Sequence, residues 1–344
     1  MNELSHLIED SATKLFESFS ESDGIEKMES GVFPEALWAD FIADGWLRTL
    51  LSEENEGAGL GLAGGCLLMR LAGYYAVPLP VVESLLAIYL LAEAGLPITD
   101  RLYSPAIIET ALPETGEIRL NGIPWARHAA GLVVICSVAG ETQLVLVKRD
   151  DYEISEGCNM AGEPRDDVVI TSDKLQNKAE LVGISVEDIN SWLALGRAAQ
   201  IAGAMRSVLE RTVEYANERA QFGRQIGKFQ AVQQQLAVQA ELTSASICAV
   251  DSAIAHLGTE QEWELIACAK VTTSESAGIA AKTAHAVHAA IGFTQEYPLQ
   301  LSTRRLWSWR DEQGNEAEWS ARLGAYCMNL EADSLWCWLA KQTA

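Results

Sequence analysis

Tyr215-Ala-Asn-Glu-Arg219-Ala-Gln-Phe222-Gly223-Arg-Gln-Ile226-Gly-Lys-Phe229-Gln230-Ala-Val232 joins two long helical patterns. Before it, Ile189–Asn217 reads as one helix, with Leu193, Gly196, Ala199, Ile201, Met205 and Leu209 available for an inner face. After it, Phe229–Leu257 reads as a second helix, Trp263–Ala290 as a third and Glu316–Ala340 as the last. Small residues such as Ala198, Ala202 and Gly203 let helices approach closely, so residues 181–344 are expected to form a four-helix bundle. The joining stretch carries a guanidinium whose rigid fork suits phosphate oxygens, and a ring that can lie against a purine. The alternatives are that Arg219 caps its helix through the last carbonyls and that Phe222 is core.

Upstream, the period changes. Gly116–Gly122, Gly131–Val138, Thr142–Lys148 and Asp166–Thr171 are short β-branched runs separated by Gly, Asn and Asp, as expected of a small antiparallel domain over 104–180. Residues 1–103 read as an N-terminal helical domain, with Leu37, Trp38, Phe41, Ile42, Trp46 and Leu47 at helical spacing. Glu53-Glu-Asn-Glu-Gly57-Ala-Gly59-Leu-Gly61 has the glycines of a dinucleotide fingerprint, but no strand precedes them, so a loop between helices is expected. The fold class is therefore mainly α with a small β domain.

Composition excludes several functions. Forty-eight acidic against 25 basic residues give a formal charge of −23, which disfavours nucleic acid and anionic membranes. The longest apolar region, Ala76–Gly95, holds Pro78, Pro80, Glu83 and Glu93 and reads as an interrupted core helix, not a bilayer span. The N-terminus shows no export signal, and seven cysteines without a CxxC pair fit neither a disulfide framework nor a metal site. The cytoplasm is the expected compartment.

The opening stretch resembles the R-x-x-F-G-x-x-I-x-x-F-Q signature of the acyl-CoA dehydrogenase family, FAD enzymes that desaturate acyl-CoA thioesters. Helical domain, β domain and bundle follow in that family's order. The resemblance implies that Arg219 reaches the FAD diphosphate across a subunit interface, with Phe222 and Gln230 near the adenine half. His288-Ala289-Ala290-Ile-Gly292-Phe293-Thr294-Gln-Glu296-Tyr297-Pro298 resembles the family's Q-x-H-G-G-x-G-[FY]-x-x-E-[YH] segment, whose backbone approaches the neighbouring subunit's FAD. It implies cofactor contact at Ala289, Ala290 and Gly292, although alanine in place of the glycine pair removes ready access to positive φ.

The reaction also needs a carboxylate to take the acyl α-proton. The family's E-G-[TS] base segment falls on Gln313-Gly314-Asn315, where Asn315 is the expected cofactor-side residue and Gln313 cannot accept a proton. Glu312, one residue earlier, is either a base brought in by a small register shift or a solvated charge in an acidic loop. The family's other base position falls on Leu193. Ser104–Gly116 stands where the T-E-P-x-x-G-S-D segment would be, and Trp125 is either a flavin neighbour or a core residue. Ser302–Arg310, with aromatic and basic residues interleaved, either contacts a nucleotide or packs on the bundle. Base, glycine pair and flavin-facing segment all depart from the pattern, while the bundle side is kept. The resemblance thus implies the shortened subunit of a heteromer, sharing FAD and acyl-CoA with a longer acyl-CoA dehydrogenase subunit or with itself. Electron-transfer flavoprotein is the implied acceptor. A self-sufficient dehydrogenase with Glu312 as base and a non-enzymatic scaffold are the rival expectations.

Overall fold

Alternating burial decides where the first half of the chain makes strands. The structure, a computed structural model, describes residues 3–21, 32–108, 115–175 and 178–330, with Trp336, Trp338 and Ala340 beyond them. Part of the expected last helix and residues 109–114 of the Ser104–Gly116 segment lie outside the described residues. Two compact units emerge: Met1–Leu68 with Val77–Leu193, and Met69–Ala76 with Ala194–Ala344.

In the first unit, α1 (Glu3–Glu21), α2 (Glu35–Ala43), the first part of α3 (Gly61–Tyr74) and α4 (Val81–Glu93) precede the sheets. Pro80 stands at the N-cap of α4, and Val81–Ile88 are all buried, so the apolar region is a core helix. Among the described residues no helix is long and apolar enough to cross a membrane. Of the Glu53–Gly61 glycines, Gly57 and Gly59 lie in a loop after one short 3₁₀ turn, and Gly61 starts α3.

Seven strands form two sheets. One has the order β1 (Tyr103–Ile108), β3 (Gly131–Val138), β4 (Glu141–Lys148) and β7 (Ala179–Leu181). The other has β2 (Glu117–Pro124), β6 (Arg165–Thr171) and β5 (Tyr152–Ser155). Leu132, Val134, Val145 and Val147 meet Ile118, Leu120, Val168 and Ile170 in one shared core. The β region departs from an all-antiparallel expectation at one pair: β1 runs parallel to β3, Tyr103 opposite Gly131. The cause is topological, because the chain leaves β1 for the other sheet through β2 and returns, so β3 starts from the same end.

The second unit holds most of α5 (Val186–Glu218), the hairpin β8 (Ala220–Gln221) and β9 (Arg224–Gln225), and α6 (Gln230–Ala255), α7 (Glu262–His288), α8 (Leu299–Asp311) and α9 (Glu316–Asn329). Ile201, Met205 and Val208 of α5 pack against Ala277, Ala280 and Ala284 of α7 and Leu306 and Trp309 of α8. The Ser302–Arg310 segment is therefore helical and packs in the bundle; its inner face mixes Thr303 and Arg305 with the leucines, which hides the apolar period.

A close crossing ties the end of α3 to α5. A Cβ on Gly203 would collide with the carbonyl oxygen of Arg70, and one on Gly73 with that of Gln200. Backbone meets backbone there, so no side chain can yield. Gly203→Ala should therefore lose about 3 kcal/mol in urea unfolding. Gly324→Ala, on the open face of α9 with nothing near its Cβ, should gain up to about 1 kcal/mol.

Candidate functional site

The signature stretch folds as the end of α5, a two-residue hairpin and a 3₁₀ turn (Ile226–Lys228) that starts α6. The Arg219 N–H donates to Tyr215 O (2.8 Å) and Ile226 N–H returns to Arg219 O (2.8 Å), closing the hairpin against the helix end. Phe222 and Gly223 take φ of 53° and 79°, the pair of positive values a primed hairpin turn requires. Ile226 and Phe229 turn inward with Ala216, Val232 and Val287, so the Ile-x-x-Phe half of the signature is packing. Phe222 is not core. It is 92% exposed at the hairpin tip, edge-on to Phe229 at 6.2 Å, while Arg224 lies over the Phe229 ring at 4.3 Å. Among the described residues the Arg219 guanidinium has neither a carboxylate nor a carbonyl partner, so it does not cap its helix.

Across from the hairpin stands the end of α7. Arg219, Phe222, Ala289 and Ala290, with Tyr215 and His288, line one concavity of about 640 Å³. His288 stacks on Tyr215 at 4.4 Å, donates from Nδ1 to Ala284 O (2.8 Å) and meets Tyr297 Oη at 3.2 Å through Nε2. Burial pushes its pKa below the ordinary histidine value, which keeps the ring a neutral wall. Ala289 corrects the expectation drawn from its side chain: it adopts φ 53° and ψ −138° although it is not glycine. Its N–H is held by His285 O as the helix ends, and that bond fixes the strained turn. Gly292 is buried behind the turn, where a Cβ would press on His288 Cβ at 2.9 Å and Leu299 at 3.2 Å. It serves packing and does not line the concavity. Gln230, the exposed first residue of α6, is not part of the lining either.

Glu312, Gln313 and Asn315 form the α8–α9 loop and do not line that concavity. The Glu312 carboxylate is neither solvated nor free: Oε2 sits 2.8 Å from Nε of Arg197, whose side chain is 3% exposed. Gln313 takes φ 57°, and its carbonyl accepts from Trp319 Nε1 at 2.8 Å. Asn315 is the N-cap of α9 in a full capping box with Glu318. Sequence reasoning missed the groups that hold this loop. Lys270, fully buried on α7, donates to Arg310 O (2.9 Å), Ser274 Oγ (3.0 Å) and Trp309 O (3.3 Å). Burial pushes its pKa down to about 7, against the pull of Glu312. The available signal was a lone lysine on a face otherwise built from Ile266, Ala267, Thr273 and Ala277.

A model of the acyl-CoA dehydrogenase C-terminal domain matches residues 189–316, which run from α5 to the start of α9. Acyl-CoA dehydrogenase IpdE2 of Mycobacterium tuberculosis is 27% identical over 283 residues, covering 79% of this chain and 80% of that protein. Over most of its length the chain is similar to acyl-CoA dehydrogenases. Solved structures agree in fold. A chain of the ChsE4–ChsE5 complex from Mycobacterium tuberculosis superposes with a TM-score of 0.88 at 18% identity, covering 96% of this chain and 99% of its own. Butyryl-CoA dehydrogenase from Megasphaera elsdenii gives 0.77 at 17%, covering 96% and 99%.

Two outcomes follow for this acyl-CoA dehydrogenase fold. Ala289→Gly should stabilise the protein by about 1 kcal/mol in thermal unfolding by relieving a backbone conformation that suits glycine, whereas Ala290→Gly, without a positive φ, should not. Lys270 titrates near 7 when folded and at the ordinary 10.5 when unfolded. Its desolvation penalty is thus fully present below pH 7 and is relieved as pH rises towards 10.5. Between those limits wild-type stability should rise relative to Lys270→Met by up to about 1.4 kcal/mol per pH unit, read by urea unfolding across pH 6–10.

Proposed function

We propose that this chain is the non-catalytic partner in an FAD-dependent acyl-CoA dehydrogenase, desaturating an acyl-CoA thioester together with a longer subunit of the same fold. The observation that carries the proposal is the contrast between two charges. Among the described residues Arg219 keeps an unpaired guanidinium on an open concavity, while Glu312 is already committed to Arg197.

The donor set suits the cofactor. Arg219 offers a planar fork to a diphosphate, and Phe222 offers a ring face to an adenine. Ala289 and Ala290 present backbone at the opposite wall, and Gln230 lies beside the hairpin at the start of α6. Bound FAD supplies the hydride acceptor for α,β-desaturation. This chain's own part is to bind and orient: Arg219 neutralises phosphate charge, and the Tyr215–His288 stack holds the wall behind it. The α-proton needs a base that Gln313 cannot be, because an amide does not accept a proton at working pH. The longer subunit provides that carboxylate. The likeness to a chain of the ChsE4–ChsE5 complex supports a heteromeric assembly, and electron-transfer flavoprotein is the proposed electron acceptor.

The test is co-expression with the longer subunit. Flavin absorbance and acyl-CoA turnover should appear in the complex and be absent from this chain purified alone. Arg219→Ala should weaken flavin retention at least tenfold, as expected for losing a charged hydrogen bond. Glu312→Gln should leave turnover within about twofold. Full flavin content in the Arg219 variant, or turnover abolished in the Glu312 variant at an unchanged melting temperature, overturns the assignment.

A further inference from the structure

A second cavity lies wholly within the first unit and plays no part in the reading above. It measures about 710 Å³, within the range of small-molecule sites. Its lining is aromatic: Phe33 just before α2, Trp38 on α2, Tyr103 on β1 and His128 share it. Phe33 and His128 stack at 4.8 Å and 24°. Its rim comes from the ends of β1 and β4 and carries Arg101, Lys148 and Arg149.

The local backbone is built to present these groups. Trp125 is buried yet takes φ 56°, unusual for a bulky residue, with its N–H on Pro164 O at 3.1 Å. The turn that follows sends successive residues to different tasks. Arg127 is spent inside the fold: its backbone N–H and Nε both bond the buried Asp166 carboxylate, at 2.8 and 2.9 Å, and Nη1 bonds Glu156 at 2.7 Å. His128 faces the cavity, and among the described residues its ring nitrogens have no hydrogen-bond partner. Burial and the Arg127 charge push its pKa below the ordinary value, so the ring is a neutral stacking surface with a free acceptor or donor nitrogen.

The charge balance at the rim favours anions. Asp100 is held by Arg48 at 2.8 Å. That leaves Arg101, Lys148 and Arg149 against Glu35 and Asp150, and neither Arg101 nor Lys148 has an acidic partner among the described residues. A net cationic rim is notable on a chain of formal charge −23. Arg149 is steadied by its own contacts, donating to Tyr152 O at 3.2 Å and lying 5.0 Å from the Tyr152 ring centre.

The geometry points to a binding site for an adenine nucleotide, its base against the His128–Phe33–Trp38 lining and its phosphates at Lys148, Arg149 and Arg101. An aromatic lining next to several cations satisfies both halves of such a ligand, which inorganic phosphate or a plain hydrocarbon does not.

The test uses ADP as probe on the full chain carrying Arg219→Ala, so that the bundle concavity cannot supply the signal. Titration is read by tryptophan fluorescence, since Trp38 lines the cavity, and by calorimetry. Saturable binding should persist in this background. Lys148→Glu with Arg149→Glu should weaken it at least tenfold, His128→Ala should weaken it about tenfold, and pyrophosphate should bind at least tenfold more weakly than ADP. Both substituted positions at the rim are exposed, so folding should be retained. Binding lost with Arg219→Ala alone, unchanged by the rim and His128 substitutions, or matched by pyrophosphate overturns the proposal. None of these outcomes bears on flavin retention by the complex.

Discussion

The buried nitrogen of Lys270 governs the α8–α9 end of the bundle. A helix leaves its last carbonyls without partners, and a buried lysine nitrogen leaves its hydrogens, three as the ammonium and two as the amine, without acceptors. Each is costly alone. Here they satisfy each other: Lys270 Nζ reaches the carbonyls of Trp309 and Arg310 and the hydroxyl of Ser274. α8 therefore stops at Asp311, and the chain turns through Gln313 and Gly314 at φ of 57° and 84°. On the far side, Trp319 grips Gln313 O and Asn315 caps α9. With both flanks fixed, the Glu312 carboxylate has one direction left, towards Arg197. A register shift that would free it for proton transfer would have to break this set of contacts together.

Much of the fold was readable because regular elements repeat a period. The three long helices of the bundle and four of the strands lie within a few residues of where apolar spacing places them. What escaped were elements whose pattern is set by partners distant in sequence. α8 buries Ser302, Thr303 and Arg305 beside its leucines, so its inner face is not apolar by sequence. β1 draws its pairing from β3, across an excursion into the other sheet. The site was less legible for the same reason. Arg219 and Phe222 from one segment and Ala289 and Ala290 from another line one concavity, but Arg197 and Lys270 belong to no local pattern. Glu312 looked like either a base or a solvated charge because its partner lies more than a hundred residues earlier in the chain.

Backbone strain and exposure point the same way around the bundle concavity. Two of its residues, Phe222 and Ala289, hold positive φ without being glycine. Each such residue costs on the order of 1 kcal/mol or more and persists only where surroundings over-determine it. For Ala289 the surroundings are visible, in the His285 carbonyl that accepts its N–H. For Phe222 they are not: the ring is 92% exposed and gains little burial within its own chain. Among the described residues, the aromatic contact of this strained, exposed phenylalanine is the edge-on one with Phe229. The proposed shared cofactor and partner subunit would bury Phe222.

Long-range electrostatics sharpen that argument. A chain of formal charge −23 repels a dinucleotide or thioester carrying several phosphates, and salt screens that repulsion only beyond roughly 8–10 Å. Close contacts must overcome what remains. One unpaired guanidinium at a protein surface offers only a few kcal/mol towards a diphosphate in water, and part of that is lost to solvent. Enclosing the same guanidinium and phosphates between two subunits lowers the local dielectric and strengthens the attraction without adding a residue. Arg219 on an open concavity is therefore a weak anion site alone and a strong one when covered, which is the behaviour a subunit that shares its cofactor requires.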